Sequence, residues 1–424
     1  MAVTGVTSRR RRSTLAAMRL LVSFAALLAS VGLLQLSSGG VGPLDALAGR
    51  DLGFTRGEVG LLGSAHFAGF FVGCWAAPRM MGSIGHSRAF AACTAAGAIG
   101  LLGHTLTDHP YGWAGLRMMT GLCVAGCYTV VESWLHAKVT NATRARVSGA
   151  YRAVDLSASL AAQLMIGLLA PLELYLAYNI LAMLCCASLL PLTLTKLRQP
   201  EMPDAPRLRP GLAWSKSPLA AMAVMVAGLT GSSFRMIGPV YGADTGLTPE
   251  EIGLFLAAFV GGGAAGQIPA GWIADRWPRR HVLTALGIAG MAACAGMAAR
   301  TGGGAAAAYA AAFAFGLATF PVYSVAAAHA HDFAQSAERV ELSAALLFFF
   351  AAGAIAAPLV AARLMTAYGP EALFALIGAA HAGLVAFALV RGRARPAHTR
   401  TAYVYTPRTS PLIGRLLGRQ RERD

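Results

Sequence analysis

The sequence predicts an all-α integral membrane protein of twelve transmembrane helices, arranged as two six-helix pseudo-repeats with both termini in the cytoplasm. Three observations lead to this fold class. Only 13% of the 424 residues are charged and 56% are hydrophobic, whereas a soluble domain is about 25% charged. Apolar runs of about 20 residues, long enough to cross the bilayer core, recur along the chain. The basic residues concentrate in every second loop, as expected of loops that stay in the cytoplasm.

Twelve apolar windows of about 19 residues define the predicted spans. The first is predicted to end where Ser37-Ser38-Gly39-Gly40 interrupts its apolar run. The predicted limits are 18–41, 57–78, 89–107, 112–134, 147–170, 174–195, 217–240, 251–273, 281–299, 305–328, 340–362 and 370–390.

One hydrophilic linker divides the chain into two halves. The linker at 196–216 separates an amino-terminal half at 18–195 from a carboxy-terminal half at 217–390. Its prolines alternate with charged residues, which is typical of a loop. A basic segment at 1–17 precedes the first half, and a basic tail at 391–424 follows the second. We expect both of these end segments to be cytoplasmic.

The net charge of +16 is explained by this topology. Most basic residues lie in the termini and in loops on the N-terminal side, whereas the opposite side has only Arg50, Arg56, Arg300 and Arg363. We therefore expect a multi-pass protein of the cell (inner) membrane whose basic loops attract anionic lipids. No basic face is interleaved with aromatic residues that could stack on bases, which argues against nucleic-acid binding.

The two halves repeat one another in sequence. The segment Gly53–Leu61 matches Gly246–Leu254, and the same offset aligns Gly69 with Gly262 and Gly73 with Gly266. Glycines at such positions allow helices to pack closely in a membrane. The repeat predicts that the two halves share one fold, and it does not identify a substrate.

A charged cluster lies between the eighth and ninth predicted spans. Its pattern, Gly271-x-x-x-Asp275-Arg276-x-x-Arg279-Arg280, resembles the signature of the major facilitator superfamily in the loop after the second span of a half. Pro278 stands where that signature usually has glycine. The corresponding loop of the first half, around Gly82, lacks the acidic and basic pair. The resemblance assigns a gating role to the loop of the second half.

Two further resemblances extend over the chain. Arg117-x-x-x-Gly121-x-x-x-Ala125 is similar to a second motif of the superfamily, associated with proton-coupled members. The segments 85–90, 132–135 and 269–280 resemble the poorly characterised YcaD-like branch. The resemblance implies a secondary active transporter that moves a small organic solute by alternating access, with efflux favoured over uptake. It implies a monomer that needs no cofactor and uses the proton gradient as its energy source.

Ionisable side chains inside predicted spans are costly and mark candidate functional sites. In the fifth span Arg152, Asp155, Ser159 and Gln163 recur at helical spacing and form one polar stripe. Asp155 either carries a proton or forms a fixed ion pair with Arg152, because desolvation raises and a nearby cation lowers the pKa of a carboxylate. The candidate residues for substrate binding and proton coupling are Arg117, Asp155, Arg152, Arg235 and Gln163.

Alternatives remain open for several of these residues. Arg117 could bind an anionic group or be a structural arginine that bonds the backbone of a neighbouring helix. Arg235 could contact substrate or extend to the membrane interface. We interpret Glu132 as a structural charge that clamps the hairpin of the fourth and fifth spans.

Other functions are less well supported by the sequence. A multi-span membrane transferase would need clustered His, Asp or Glu residues, and only His329–Asp332 comes close. A non-transporting receptor or scaffold on a transporter fold is the alternative that the basic tail keeps open. All seven cysteines lie in apolar segments, so we predict neither a disulfide framework nor a metal site. No Walker sequence is present, which argues against transport driven by ATP.

Overall fold

The structure is a computed structural model that describes residues 3–138, 144–195, 207–299 and 304–391. Side chains are described for 24–135, 147–195, 207–299, 304–335 and 337–391. Three predicted segments lie outside the residues whose side chains are described: the basic segment 1–17, the linker segment 196–206 and the tail from 392. All regular secondary structure within the described ranges is helical.

Twelve helical spans of the described ranges are long and apolar enough to cross a membrane. In chain order, spans 1 to 12 are Phe24–Asp51, Arg56–Ile84, His86–Leu106, Pro110–Leu135, Val147–Leu169, Leu174–Thr193, Pro218–Asp244, Pro249–Arg276, Arg279–Ala298, Gly304–His331, Arg339–Tyr368 and Ala372–Val390. Spans 5, 6 and 10 each contain two helices, which are Arg144–Leu164 with Ile166–Leu169, Leu174–Ala187 with Leu190–Thr193, and Gly304–Thr319 with Pro321–His331. A short helix, Pro210–Lys216, precedes span 7.

Span 1 extends further than its hydropathy predicts. Its helix continues through Ser37-Ser38-Gly39-Gly40 to Asp51, so the predicted end at 41 is wrong. The Ser37 hydroxyl donates to the carbonyl of Leu181 in span 6 at 2.8 Å. A Cβ on Gly39 would lie 2.9 Å from the Cβ of Ala162 in span 5. These residues therefore form a tight contact between helices, although in sequence they look like the end of a span.

The repeated segments begin the second span of each half in the same way. Thr55 and Glu58 form a capping box at the start of span 2, and Thr248 and Glu251 form the same box at the start of span 8. In each box the threonine oxygen accepts from the backbone of the glutamate, and the glutamate accepts from the backbone of the threonine. The sequence repeat is thus also a repeat of local structure.

The aligned glycines bring helix backbones into contact. A Cβ on Gly69 would lie 1.8 Å from the carbonyl oxygen of Met118 in span 4. A Cβ on the aligned Gly262 would lie 2.0 Å from the carbonyl oxygen of Phe313 in span 10. No side chain fits at either distance, so spans 2 and 4 cross as closely as spans 8 and 10.

We call the end of the bundle at which span 1 begins the N-face, and the opposite end the far face. At the far face the two halves are joined by a cluster of three charged residues, which we call the far-face cluster. Asp244, at the end of span 7, lies 2.8 Å from Arg50 and 2.9 Å from Arg56. Arg56 also donates to the carbonyl of Met365 in span 11 at 3.2 Å. Beside this cluster, span 2 packs on span 11 and span 5 packs on span 8.

The signature loop between spans 8 and 9 lies at the N-face. The guanidinium of Arg279 is buried, and it lies 2.6 Å from the carboxylate of Asp332 and 3.6 Å from that of Asp275. It also donates to the carbonyl of Ala328 in span 10 at 2.9 Å. This arginine therefore joins the start of span 9 to the end of span 10, within one half.

Candidate functional site

A cavity of about 150 Å³ lies in the middle of the bundle and is lined by both halves. Spans 1, 2, 4 and 5 provide most of its polar groups, and spans 7, 10 and 11 close the other side. The main polar residues of the lining are Gln35, His66, Arg117, Asp155, Gln163 and Arg235. The aromatic residues of the lining are Phe67, Phe70, Phe320, Phe350 and Tyr128.

Four of the five residues that the sequence proposes for substrate and proton binding line this cavity. They come from spans 4, 5 and 7, and they are Arg117, Asp155, Gln163 and Arg235. Gln163 also donates from its side-chain amide to the backbone carbonyl of Gly39 at 3.1 Å. That bond joins span 5 to the glycine segment of span 1. The roles of all four residues stay predictions.

Asp155 belongs to a hydrogen-bonded chain that joins spans 5, 4 and 1. The Tyr128 hydroxyl lies 3.1 Å from the carboxylate of Asp155, and the same hydroxyl makes a short hydrogen bond with Gln35. A hydroxyl has one proton to donate. The Gln35 amide presents its oxygen to the hydroxyl, so when Asp155 is ionised and receives the Tyr128 proton, the amide must turn for its NH2 group to donate to Tyr128. When Asp155 is protonated, the carboxyl can donate to Tyr128, which then donates to the Gln35 carbonyl.

Arg117 is paired with a carboxylate that the sequence interpretation did not include. Its Nε lies 2.9 Å from the carboxylate of Asp45 in span 1. The side chains of Arg117 and Asp45 are 3% and 0% exposed. The arginine Nε–H does not point directly at the oxygen, so we describe the contact as an ion pair without a well-aligned hydrogen bond. A Cβ on Gly42, one turn before Asp45, would lie 3.7 Å from the guanidinium.

Two further side chains complete the surroundings of Asp45. The Tyr178 hydroxyl donates to its carboxylate at 2.6 Å. His104 lies with its Nε2 4.0 Å from the same carboxylate, and its Nδ1 lies 2.7 Å from the carbonyl of Gly100. Because a carbonyl can only accept, Nδ1 carries the proton, and Nε2 is then the nitrogen that can take a second one. Spans 1, 3, 4 and 6 therefore meet at one buried carboxylate.

Asp45 was missed because the hydropathy window ended span 1 at 41, which placed this residue in a loop. The signal that could have found it is the spacing of Gly39, Gly42 and Asp45 at three-residue intervals. Such spacing puts all three on one helix face.

Arg235 lines the cavity without a carboxylate partner among the described residues. It is half-buried in span 7 and lines the cavity. No carboxylate of the described residues lies within 4.0 Å of its guanidinium. Its positive charge therefore faces the cavity without a neutralising ion pair.

Two other charged candidates, Glu132 of span 4 and Arg152 of span 5, lie towards the N-face. The guanidinium of Arg152 lies 4.9 Å from the ring centre of Tyr151. The Tyr151 hydroxyl donates to the carboxylate of Glu132 at 3.2 Å, and Glu132 is buried. Spans 4 and 5 are thus joined at this end by Tyr151. The ion pair of Arg152 with Asp155 stays a prediction.

The signature loop lies apart from the cavity lining. Gly271 is buried in the last turns of span 8, and Asp275 and Arg276 are exposed at the N-face. The Arg276 guanidinium lies 4.0 Å from the ring centre of Trp272, and Arg280 donates to His281 at 3.2 Å. Only Arg279 of this group has a buried side chain. The gating role implied for the loop stays a prediction.

Comparisons with known proteins agree with this architecture. The family model described as Major Facilitator Superfamily matches residues 220–420. An uncharacterised MFS-type transporter of Yersinia pestis (strain Pestoides F) is 28% identical over 348 residues, covering 82% of this chain and 88% of the relative. The family model and this relative both make the chain similar to proteins of the major facilitator superfamily. A further relative, the uncharacterised MFS-type transporter YcaD of Escherichia coli O7:K1, is 28% identical and covers 76% of this chain and 83% of its own length.

Solved structures of this superfamily show the same fold. The nucleoside transporter NupG superposes with a TM-score of 0.70 at 13% identity, covering 89% of this chain and 100% of NupG. A bacterial homologue of the human lysosomal transporter Spinster, in an inward-facing and unoccupied conformation, superposes with a TM-score of 0.68 at 14% identity, covering 88% of this chain and 93% of the homologue. At these identities the likeness concerns the fold alone. The twelve spans, together with curated relatives that are named MFS-type transporters, indicate a multi-pass membrane protein.

Proposed function

We propose that this protein is a proton-coupled secondary transporter that moves a small organic solute across the cell membrane by alternating access. The central cavity supports this proposal, because both halves contribute to its wall. In transporters built from two repeats, a site at the interface of the repeats can be exposed to each side in turn when one half rocks against the other.

The observation that carries the proton coupling is the buried ion pair of Asp45 and Arg117. Protonation would neutralise Asp45 and leave Arg117, which lines the cavity, without its anionic partner. A buried charge without a partner is strongly disfavoured, so the cavity would then favour a solute group that accepts hydrogen bonds. The proton on Asp45 and the solute in the cavity would in this way affect each other's binding free energy.

Asp155 is the second carboxylate that supports the coupling. It lines the cavity on the N-face side of Arg117 and shares the hydroxyl of Tyr128 with Gln35. A proton gained at Asp155 reverses the direction of that hydrogen-bonded chain. Asp155 lines the cavity nearer the N-face, whereas Asp45 lies behind Arg117 nearer the far face. Each carboxylate would therefore exchange protons with a different face of the membrane.

The contacts between the halves support alternating access. The far-face cluster joins spans 1, 2 and 7 across the boundary of the halves. Both arginines are partly exposed, with 48% and 36% of their side chains accessible. Exposed pairs of this kind contribute about 0–1 kcal/mol each, which is small enough for the far face to open in each transport cycle.

The distribution of basic residues supports a cytoplasmic N-face and an inner-membrane location. With this orientation the far-face cluster lies on the non-cytoplasmic side of the membrane. Export is the direction that the family resemblance favours. The flux experiment below measures the direction, because the pH gradient can be set in either sense.

The test uses the full-length protein in sealed vesicles that contain a pH-sensitive dye. Solutes of varied charge are added with and without a pH gradient, and proton movement is followed for the wild type, Asp45→Asn and Asp155→Asn. We expect solute-dependent proton movement in the wild type and its loss in both variants. Asp51→Asn, the same substitution at an exposed position of span 1, is the matched control and should behave as the wild type.

Two results would contradict the proposal. Solute flux that does not depend on the gradient would rule out proton coupling. Proton movement that survives in both variants would show that neither carboxylate takes part.

A further inference from the structure

Arg235 and Arg117 face the same cavity but differ in their partners. Arg117 lies against Asp45, whereas no carboxylate of the described residues lies within 4.0 Å of Arg235. An arginine is effectively always charged, and a guanidinium in a membrane interior needs an anion or several hydrogen-bond acceptors. The cavity therefore holds one cation that the described part of the protein does not neutralise.

A second polar group of the cavity also lacks a partner. Ser159 in span 5 lines the cavity and is 4% exposed, and its hydroxyl makes no hydrogen bond to any described residue. Spans 5 and 7 belong to different halves. A single acceptor group between them could receive hydrogen bonds from both.

The rest of the wall is aromatic. Phe67 and Phe70 belong to span 2, and Phe320 and Phe350 belong to spans 10 and 11. Aromatic rings bind other rings edge-to-face or in offset stacks. The volume of about 150 Å³ is also the volume of an engineered cavity that accommodates a benzene-sized ring. A ligand that complements both the phenylalanine rings and the Arg235 cation would have an aromatic ring and an anionic group.

We propose that the transported solute is a small aromatic carboxylate, bound by Arg235 through its carboxylate group and by the four phenylalanines through its ring. The inference rests on the proposed transport function and specifies the chemical class of its substrate. A guanidinium holds a carboxylate by two parallel hydrogen bonds, a geometry that an ammonium group cannot offer. Binding would then join span 7 to the aromatic wall of both halves.

The competing site for a cation would be Asp155. Its carboxylate already accepts from Tyr128 within the protein, whereas Arg235 has no carboxylate within reach among the described residues. The charges in the cavity therefore favour an anionic ligand. The experiment keeps the cationic ligand as one of its outcomes.

The test measures binding to the purified full-length protein in detergent, separately from transport. Three probes share one ring and differ in charge: benzoate, its neutral amide benzamide and the cation benzylamine. Binding to the folded state raises the midpoint of thermal unfolding in proportion to occupancy. We expect benzoate to raise the midpoint, and benzamide and benzylamine to leave it unchanged.

Variants connect this binding to Arg235. Arg235→Gln should weaken the apparent affinity for benzoate at least about tenfold, the loss expected for a charge-assisted hydrogen bond. Arg235→Lys should retain part of the affinity. Arg363→Gln removes a positive charge from an exposed position of span 11 and should bind benzoate as the wild type does. If Arg235→Gln does not fold, the probe series on the wild type and the Arg235→Lys variant still decide the question.

Several results would overturn the inference. They are stabilisation by benzamide or benzylamine that equals the effect of benzoate, no stabilisation by any of the three probes, and unchanged benzoate affinity in Arg235→Gln. The vesicle experiment separates this failure from failure of the proposed function. Benzoate binding without flux would reject the transport mechanism and leave the ligand class intact. Gradient-dependent flux of a cation without benzoate binding would reject the ligand class and leave the transport mechanism intact.

Discussion

Arg117 and Asp45 form an ion pair of 2.9 Å inside the helix bundle, with side chains that are 3% and 0% exposed. Both residues belong to the same half, in spans 4 and 1. Rocking of one half against the other therefore leaves the pair intact. Its state changes only when a proton or a solute competes with one of its members.

The first prediction concerns the coupling of these two charges. Asp45→Ala leaves Arg117 buried without its carboxylate and should lower the free energy of unfolding by about 3–5 kcal/mol. Adding Arg117→Gln removes the uncompensated charge and should restore part of this loss. The measurement is a double-mutant cycle on the midpoint of unfolding in detergent. If the losses of stability in the two single variants simply add in the double variant, the pair contributes no coupling energy.

The second prediction concerns the far-face cluster. Asp244→Asn removes the carboxylate shared by Arg50 and Arg56. A loss of about 1–2 kcal/mol would change the ratio of closed to open states about 5–30-fold. The measurement is the rate at which a thiol reagent labels Ala362→Cys, a position buried against Gly60 at the far face.

Asp244→Asn should make this labelling several-fold faster. Glu371→Gln, at an exposed position near the same face, is the control and should leave the rate unchanged. Equal rates in all three backgrounds would show that the far-face cluster does not hold the halves together.

The third prediction concerns the signature loop. Arg279→Gln leaves the carboxylate of Asp332 without its guanidinium and should cost about 3 kcal/mol of unfolding free energy. Arg280→Gln, at a half-buried neighbouring position, should cost clearly less. Thermal unfolding of the two variants measures the difference. Equal destabilisation would contradict the structural role that the contacts of Arg279 indicate.

The fourth prediction is a pH dependence outside the spans. Lys216 lies 2.7 Å from the carboxylate of Glu338, and this hydrogen bond, together with one from the backbone of Gln335, lowers the pKa of Glu338. A lowered pKa in the folded state means that the contribution to stability is present above the unfolded pKa of about 4.3 and is lost as the pH falls through the lower folded value. The effect is small, because both side chains are partly exposed to solvent.

The measurement compares the unfolding midpoints of the wild type and Glu338→Gln across acidic pH. The wild type should be slightly more stable near neutrality, and the difference should vanish in acid. A difference that grows as the pH falls would mean that the pKa of Glu338 is shifted in the opposite direction.

The fifth prediction tests the proposed pairing of Arg152 with Asp155. Arg152→Ala should lower the yield of folded protein, and Asp155→Asn in the same chain should restore part of it, because an unpaired carboxylate within the membrane is costly. The yield after size-exclusion chromatography is the measurement. A double variant that folds no better than Arg152→Ala would show that these charges are not partners.

Hydropathy and the internal repeat predicted most of the fold. The repeated Thr55–Glu58 and Thr248–Glu251 segments form equivalent capping boxes, because capping depends on residues that are neighbours in sequence. The aligned glycines also have equivalent roles at helix crossings. Local chemistry and periodicity are sufficient for such features.

The partners inside the cavity could not be predicted in the same way. Asp45 was assigned to a loop because the small and polar residues at 37–40 lower the hydropathy of the preceding turns. In the structure those residues pack tightly against spans 5 and 6. Tyr128 and Gln35 are uncharged and have no distinctive spacing. Their importance depends on contacts between spans that are distant in sequence, and a single sequence does not specify those contacts.

The glycine crossings have a consequence for how the chain is assembled in the membrane. The contact of Gly69 with Met118 lies entirely within the first half, and that of Gly262 with Phe313 lies entirely within the second. Each half can therefore complete its own crossing as soon as its fourth span has been inserted during synthesis. The far-face cluster, which needs Arg50, Arg56 and Asp244, can form only after span 7 has left the ribosome. Biogenesis would thus complete the helix crossing of the first half before the two halves can be joined at the far face.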